Sequence, residues 1–262
     1  MTKENLADLK LYSSEVENKA RRELYEMYKN SPLPDDQQLN NLGLFIESKW
    51  LSRILFMDFL YKKIVETQGV VMEFGTHWGQ NSALFTTLRG IYEPFNRHRK
   101  IIGFDTFKGF PSINTHDGDS DLMVEGKLNL PDGYPDFLRK VLNTHEALNP
   151  LSHISKNEIC EGDASIELEK YLEREKHTVI ALAYFDFDLY EPTKKCLELI
   201  KDRITKGTII GFDEVNDPDS PGETLALMET VGLNNISLKR YQHCSRVSDQ
   251  LNFLLSKIFL AS

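Results

Sequence analysis

Cysteine is scarce: Cys160, Cys196 and Cys244 are the only three in 262 residues, odd in number and far apart. That argues against a disulfide framework or a cysteine-built zinc site and leaves buried free thiols as the expectation. Basic side chains are outnumbered, 31 against 40 acidic, for a net charge of -9. Such a balance repels phosphate backbones and anionic bilayers at long range, so neither nucleic acid nor membrane is expected as a partner. No apolar run approaches the about 20 residues that span a bilayer. The opening stretch MTKENLADLKLYSSE has no apolar h-region, so a cytoplasmic location is expected. Internal repeats and low-complexity tracts are missing too.

What is present suits a globular enzyme. The length allows one large α/β domain with appendages, and 40% apolar residues suffice for a substantial core. Residues 4–30 are polar with apolar positions at helical intervals and predict a surface helix. The prolines of SPLPDDQ break that pattern and read as a linker. Helical spacing returns over 42–64 through Phe45, Ile46, Trp50, Ile54, Phe59, Leu60 and Ile64. That helix is expected to cap a cofactor pocket or build a dimer interface, and a homo-oligomer is expected.

After Gly69 short β-rich runs alternate with amphipathic stretches, the pattern of parallel strands joined by crossover helices. The strand candidates VVMEFG, KIIGFD, NEICEGD, VIALAYFDF and GTIIGFDE each end in glycine or an acid. In open parallel sheets, ligands bind outside the carboxyl ends of the strands. Two later runs, NISLKRYQH and QLNFLLSKIF, predict an antiparallel hairpin at the sheet edge. Between the second and third strands lies a long Gly-, Pro- and Asp-rich insertion of the kind that forms lids. Residues 1–69 thus read as a helical extension and 70–262 as the catalytic domain, with 110–150 as the lid.

The first strand runs into Glu73-Phe-Gly75-Thr-His-Trp-Gly79. Glycines at a strand-to-helix turn let backbone approach a ligand closely, and free N–H groups at the following helix start attract anions. Asp105 ends the second strand, where an acid receives ribose hydroxyls, and Asp163 ends the third, where it would face an adenine amino group. The loop offers G-x-x-x-G rather than the dinucleotide pattern G-x-G-x-x-G. His77 and Trp78 read as loop or packing residues.

The fourth strand ends Asp186-Phe-Asp188-Leu-Tyr-Glu191 and the fifth Asp213-Glu214. Adjacent parallel strands would bring four of these carboxylates together, and their repulsion calls for a cation. Oxygen ligands suit Mg²⁺ or a similar divalent ion. Asp also caps helices; for Asp186 and Asp213 metal binding is the preferred reading. The run His116-Asp-Gly-Asp119-Ser-Asp121 suggests calcium, but an EF-hand counted from Asp117 has Leu122 and Leu128 where Gly and Glu are needed. It reads instead as a solvated lid loop.

These segments, EFGTHWG, GFDTFKGFP, DFDLYEPT and GFDE, resemble the metal-dependent sugar O-methyltransferases of the macrocin and novobiocin type over most of residues 70–215. The family's patterns are E-F-G with a glycine loop, G-F-D-x-F-x-G-x-P, D-G-D-L-Y-E-x-T and a terminal acidic pair. The resemblance implies a Rossmann-like class I methyltransferase fold, with a mostly parallel sheet of about seven strands. It also implies an S-adenosylmethionine pocket and a small sugar or glycoside acceptor. By position it implies Asp186, Asp213 and Glu214 as metal ligands and Asp188 as general base. The cofactor pocket takes in Glu73, Gly75, Thr76, Gly79, Ser82, Asp105, Thr106, Phe107, Asp163, Ala164 and Asp186. Two positions depart from the pattern: Phe187 replaces the glycine of D-G-D, and Glu214, with a longer arm, replaces an Asp. Catechol-type enzymes place a Lys three residues after the first metal-binding Asp, where this chain has Leu189, which favours sugar over a phenolic acceptor. Acceptor choice is expected to be encoded in the N-terminal 69 residues and the lid. In the chemistry so implied, a metal contacting two vicinal oxygens acidifies the hydroxyl and Asp188 takes its proton.

Overall fold

The structure, a computed structural model, describes residues 14–243 and 250–252. The chain divides into two compact units, Met1–Arg53 and Ile54–Ser262. In the first, α1 (Glu15–Lys29) starts on a reciprocal cap: Ser14 Oγ accepts from Glu17 N at 3.2 Å, and the Glu17 carboxylate accepts from Ser14 N at 2.7 Å. A short α2 (Asp35–Gln38) follows Pro34. The helix expected over 42–64 begins at Ser48, as α3 (Ser48–Ile64), because Leu39–Leu44 wind instead into a 3-10 turn. Residues 4–13 of the expected N-terminal helix lie outside the described residues.

In the second unit, seven strands form one sheet in the order β3-β2-β1-β4-β5-β7-β6. They are β1 (Val70–Phe74), β2 (Ile101–Asp105), β3 (Asn157–Glu161), β4 (Ile180–Phe185), β5 (Ile204–Phe212), β6 (Leu238–Lys239) and β7 (Gln250–Asn252). The first five in spatial order are parallel, and β7 runs antiparallel to β5 and β6 at the edge where the hairpin is expected; the rest of its second run, residues 253–259, lies outside the described residues. Central strands are covered on both faces, so β1 and β4 are buried throughout, which explains their nearly unbroken apolar runs.

One face packs on α3 and α4 (Gln80–Tyr92), with Phe56, Met57, Leu60, Tyr61 and Phe85 against Val71, Leu182 and Tyr184. The other packs on α6 (Ala164–Arg174), α7 (Tyr190–Ile200) and α8 (Gly222–Thr230) through Leu168, Tyr171, Leu197 and Leu227. Each such side chain contributes about 1.5–3 kcal/mol by burial. Of the cysteines, Cys160 and Cys196 are buried free thiols, and Cys244 lies outside the described residues.

The insertion is not all loop. Residues 134–147 form α5 (Tyr134–Ala147), the crossover helix between β2 and β3, whose Leu138 and Leu142 pack on Phe107, Leu130 and Ile159. The irregular part ends at Gly133, and it holds its own small core of Phe110 and Met123 against Leu189.

Two devices align the strands. Arg99, 1% exposed, donates to the carbonyls of Ile64 at 2.9 Å and Thr67 at 2.8 Å and pairs with Glu93 at 2.8 Å, fixing the end of α3 to the start of β1. At the other end of the strands, Phe104, Phe74, Phe185 and Phe212 stand side by side in register across β2, β1, β4 and β5. Their successive ring centroids are 5.2, 4.6 and 5.1 Å apart. Each stacked pair is worth about 0.5–1.5 kcal/mol beyond its buried area.

Candidate active site

Immediately beyond that row of rings stand Gly75, Asp105, Asp186 and Asp213: Asp105 is the last residue of β2, and the other three open the loops after β1, β4 and β5. The sheet pairing therefore delivers these four residues to one edge at one level. Gly75 has φ +88°, and a Cβ there would stand 2.0 Å from the Asp186 carbonyl oxygen, so only glycine lets the β1 turn lie against the β4 turn. Asp186 N completes the join by donating to Phe74 O at 2.8 Å.

A pocket opens here, lined by Gly75, His77, Asp105, Thr106, Asp163, Ala164, Asp186 and Asp188, with Phe110, Pro111 and Leu128 of the irregular loop on its far wall. Glu73, Thr76, Gly79, Ser82 and Phe107 stand behind that lining. Glu73 is fully buried in β1 and accepts from Ser82 Oγ, tying the strand to α4. Thr76 is buried, Gly79 takes φ +76° at the start of α4, and Phe107 is buried in the α5 core. A larger depression of about 650 Å³ lies beside β3, but its charges pair across it, Arg139 with Glu161 and Arg174 with Glu158. It reads as a solvated surface groove.

Asp105 carries two roles. Its Oδ2 accepts from His77 N at 2.7 Å and its Oδ1 from Phe107 N at 2.6 Å, so it joins the turns after β1 and β2 while facing the pocket. Burial raises its carboxyl above the usual range, against the pull of those amides. Asp163 caps α6: its Oδ1 accepts from Ser165 N at 2.9 Å and Ile166 N at 3.2 Å. Burial opposes ionisation there, but the bond from Ser165 Oγ at 2.6 Å, together with these two amides, outweighs it and lowers the carboxyl.

The acids after β4 and β5 differ from the expected arrangement in one respect. A continuing strand would have put Asp186 and Asp188 on one face, yet β4 ends at Phe185, level with the ends of its partners β1 at Phe74 and β5 at Phe212. Asp188 instead adopts φ +61°, and Phe187 turns inward against Phe74 and Phe185. Asp213 is buried, with its Oδ1 accepting from Tyr184 Oη at 2.5 Å. Burial, then Asp213, Asp188 and Glu223, push the Glu214 carboxyl up to about 11.

Carboxylates thus crowd one another here, and an all-oxygen donor set of this charge fits a hard divalent cation. In the present side-chain arrangement no group of three or more His, Cys, Asp or Glu residues that could hold a metal occurs among the described residues.

Sequence reasoning missed two carboxylates. Asp117, assigned above to a solvated loop, is 2% exposed and accepts from Tyr190 N at 2.6 Å, so the loop is docked on the start of α7. Glu223, wholly buried at the start of α8, accepts from Phe187 N at 2.8 Å and Glu214 N at 3.3 Å. Burial first, then Asp188, push it up to about 8. Its only signal in the sequence is an acid directly after Pro221-Gly222 at a helix start.

No family model matches the chain, and no curated protein matches it. Among solved structures, one described as the calicheamicin methyltransferase CalS11 is 39% identical, with a TM-score of 0.89, covering 92% of this chain and 94% of that one. An apo structure of CalS11, described as a TDP-rhamnose 3'-O-methyltransferase in calicheamicin biosynthesis, is 37% identical with a TM-score of 0.82, covering 92% and 96%. The O-methyltransferase NovP shares the fold at 16% identity and a TM-score of 0.54, over 77% and 78% of the two chains.

Proposed function

Because the chain belongs to the sugar O-methyltransferase family, we propose that it transfers the methyl group of S-adenosylmethionine to a hydroxyl of a sugar borne by a nucleotide or a glycoside. The observation that carries this reading is the convergence of Gly75, Asp105, Asp186 and Asp188 on one pocket in a chain 39% identical to a calicheamicin methyltransferase.

Each residue has a physical task. The backbone at Gly75, which lines the pocket, receives the cofactor's amino-acid end, with Glu73 and Ser82 stiffening the strand and helix behind it. Asp105 accepts from the ribose hydroxyls on lone pairs that the two amides leave. Ala164, at the start of α6, packs beside the adenine, with Asp163 near its amino group. Asp186, Asp213 and Glu214 would hold a divalent cation, which would supply Lewis acidity toward the acceptor hydroxyl. Asp188 takes the proton as the oxygen attacks, and in-line placement of the two reactants supplies much of the acceleration. The loop wall of Phe110, Pro111 and Leu128 excludes water and, with its neighbours, selects the acceptor.

The test is direct. The protein, S-adenosylmethionine and Mg²⁺ are incubated with TDP-rhamnose, and in parallel with catechol, and mass spectrometry looks for the gain of one methyl. Transfer to the sugar supports the proposal, and transfer to catechol alone would replace it with a phenolic acceptor.

A further inference from the structure

The turn that carries Asp188 is gripped from outside on both sides. Asp188 has φ +61°, a conformation that residues with a side chain adopt rarely and keep only when their surroundings impose it. The amide before it, of Phe187, donates to Glu223 Oε1 at 2.8 Å, and the amide two residues after it, of Tyr190, donates to Asp117 Oδ1 at 2.6 Å. The two acceptors come from distant parts of the chain, the irregular loop after β2 and the first turn of α8. They meet where there is no room for another side chain. A Cβ on Gly222 would stand 2.6 Å from Tyr190 N, 2.8 Å from Asp188 O and 2.9 Å from Asp117 Oδ1.

Two explanations that need no catalytic purpose fall short. As mere filling, two buried carboxylates beside other acids are a poor choice, since an apolar side chain would pack there without desolvating a charge. As helix capping, Asp117 suits the start of α7. Capping does not explain Glu223, whose two bonds go to Phe187 and Glu214, both outside any helix. What Glu223 joins is the turn after β4 to the turn after β5.

We infer that Asp117 and Glu223 are positioning residues that hold Asp188 in its left-handed turn by accepting the amide protons on either side of it. The inference rests on the assignment of Asp188 as the base.

The experiment uses the full chain and the variants Glu223→Ala, Asp117→Ala, Asp188→Asn and the double variant E223A/D188N; alanine is chosen because Gln or Asn would keep an oxygen able to accept from the same amide. Amide hydrogen exchange needs no sugar substrate. Exchange should speed at Phe187 in E223A and at Tyr190 in D117A by about tenfold or more, with amides of β1 and β2 still protected. Kinetics with TDP-rhamnose as the acceptor should show turnover lowered about 10- to 100-fold in E223A and D117A, with unchanged affinity for S-adenosylmethionine. In the D188N background, E223A should cost nothing further, because it acts through the residue already disabled. Unchanged exchange at both amides overturns the inference, and so does an E223A loss of the same size with and without Asp188. If D188N alone keeps full turnover, or TDP-rhamnose is not methylated at all, the reading of the base or of the substrate fails. The exchange result then decides by itself whether the two carboxylates hold the turn.

Discussion

Tyr184 lies in β4 and Asp213 directly follows the neighbouring β5, and the tyrosine hydroxyl donates to the aspartate at 2.5 Å, in a site where both residues are buried. The bond fixes the first acid beyond β5 from the face of the sheet opposite α6 and α7. Tyr184→Phe should lower stability by about 1.5–3 kcal/mol, the usual worth of a hydrogen bond to a charged group. Urea unfolding of the two proteins measures it, and a difference near zero would mean that Asp213 is held by its other neighbours.

Asp105→Ala removes the acceptor for ribose hydroxyls together with the tie between the turns after β1 and β2. Affinity for S-adenosylmethionine should fall by about tenfold or more, which corresponds to about 1.4 kcal/mol. Calorimetry on the variant gives the answer, and unchanged affinity would remove Asp105 from the cofactor site.

Chelation with EDTA should abolish methyl transfer while cofactor binding survives, because the acids assigned to the metal are separate from Asp105. Mg²⁺ should raise the melting temperature of the apo protein by relieving the crowded carboxylates, and Asp213→Asn should blunt that rise. Full turnover in excess chelator rules the metal out. Glu214→Asp, which restores the family's commoner residue, should be tolerated.

Asp188→Asn keeps shape and polarity but deletes basicity, so turnover should fall by roughly 10²–10⁴-fold, the range of general-base loss. Cofactor affinity should hold. Retained turnover would shift the role to His77 or Glu191, and a collapse of metal affinity would make Asp188 a ligand.

Stability should depend on acid through Glu93. Burial works to raise its carboxyl, but the bonds from Arg99, Asn96 and Tyr61 prevail and hold it below the ordinary 4.5. A depressed carboxyl contributes fully above its unfolded value and loses that contribution as pH falls through its folded one. Glu93→Gln should therefore cost about 3 kcal/mol near pH 7, as expected when a buried ion pair loses one partner. The gap to the native protein should narrow below about pH 4.5. Denaturant midpoints across pH 3–7 would show it, and a gap that stays constant would assign the effect to packing.

How far the sequence could be read depended on the range of the interaction. Five apolar runs ending in Gly or acid sufficed for the parallel strands and for the edge at which Gly75, Asp105, Asp186 and Asp213 emerge, because alternation and strand ends are local signals. The conformation of Asp188 was not local: VIALAYFDF reads as one strand, and it stops at Phe185, where β1 on one side and β5 on the other both run out. Asp117 looked like one more polar loop residue, since its partner Tyr190 is 73 positions away. Glu223 meets Phe187 across 36 positions, and no periodicity marks either contact.

The row formed by Phe104, Phe74, Phe185 and Phe212 has an implication for how such an enzyme changes its substrate. Because the rings brace one another across four strands, the height at which every strand hands over to its loop is settled below the chemistry. Loops above that course can be exchanged or lengthened without moving their neighbours' footings, whereas thinning a single ring would tilt two adjoining strand ends at once. Acceptor preference is accordingly free to drift in the loops while the row of phenylalanines stays put, and grafting a loop from a relative is the more promising route to a new acceptor than altering the sheet.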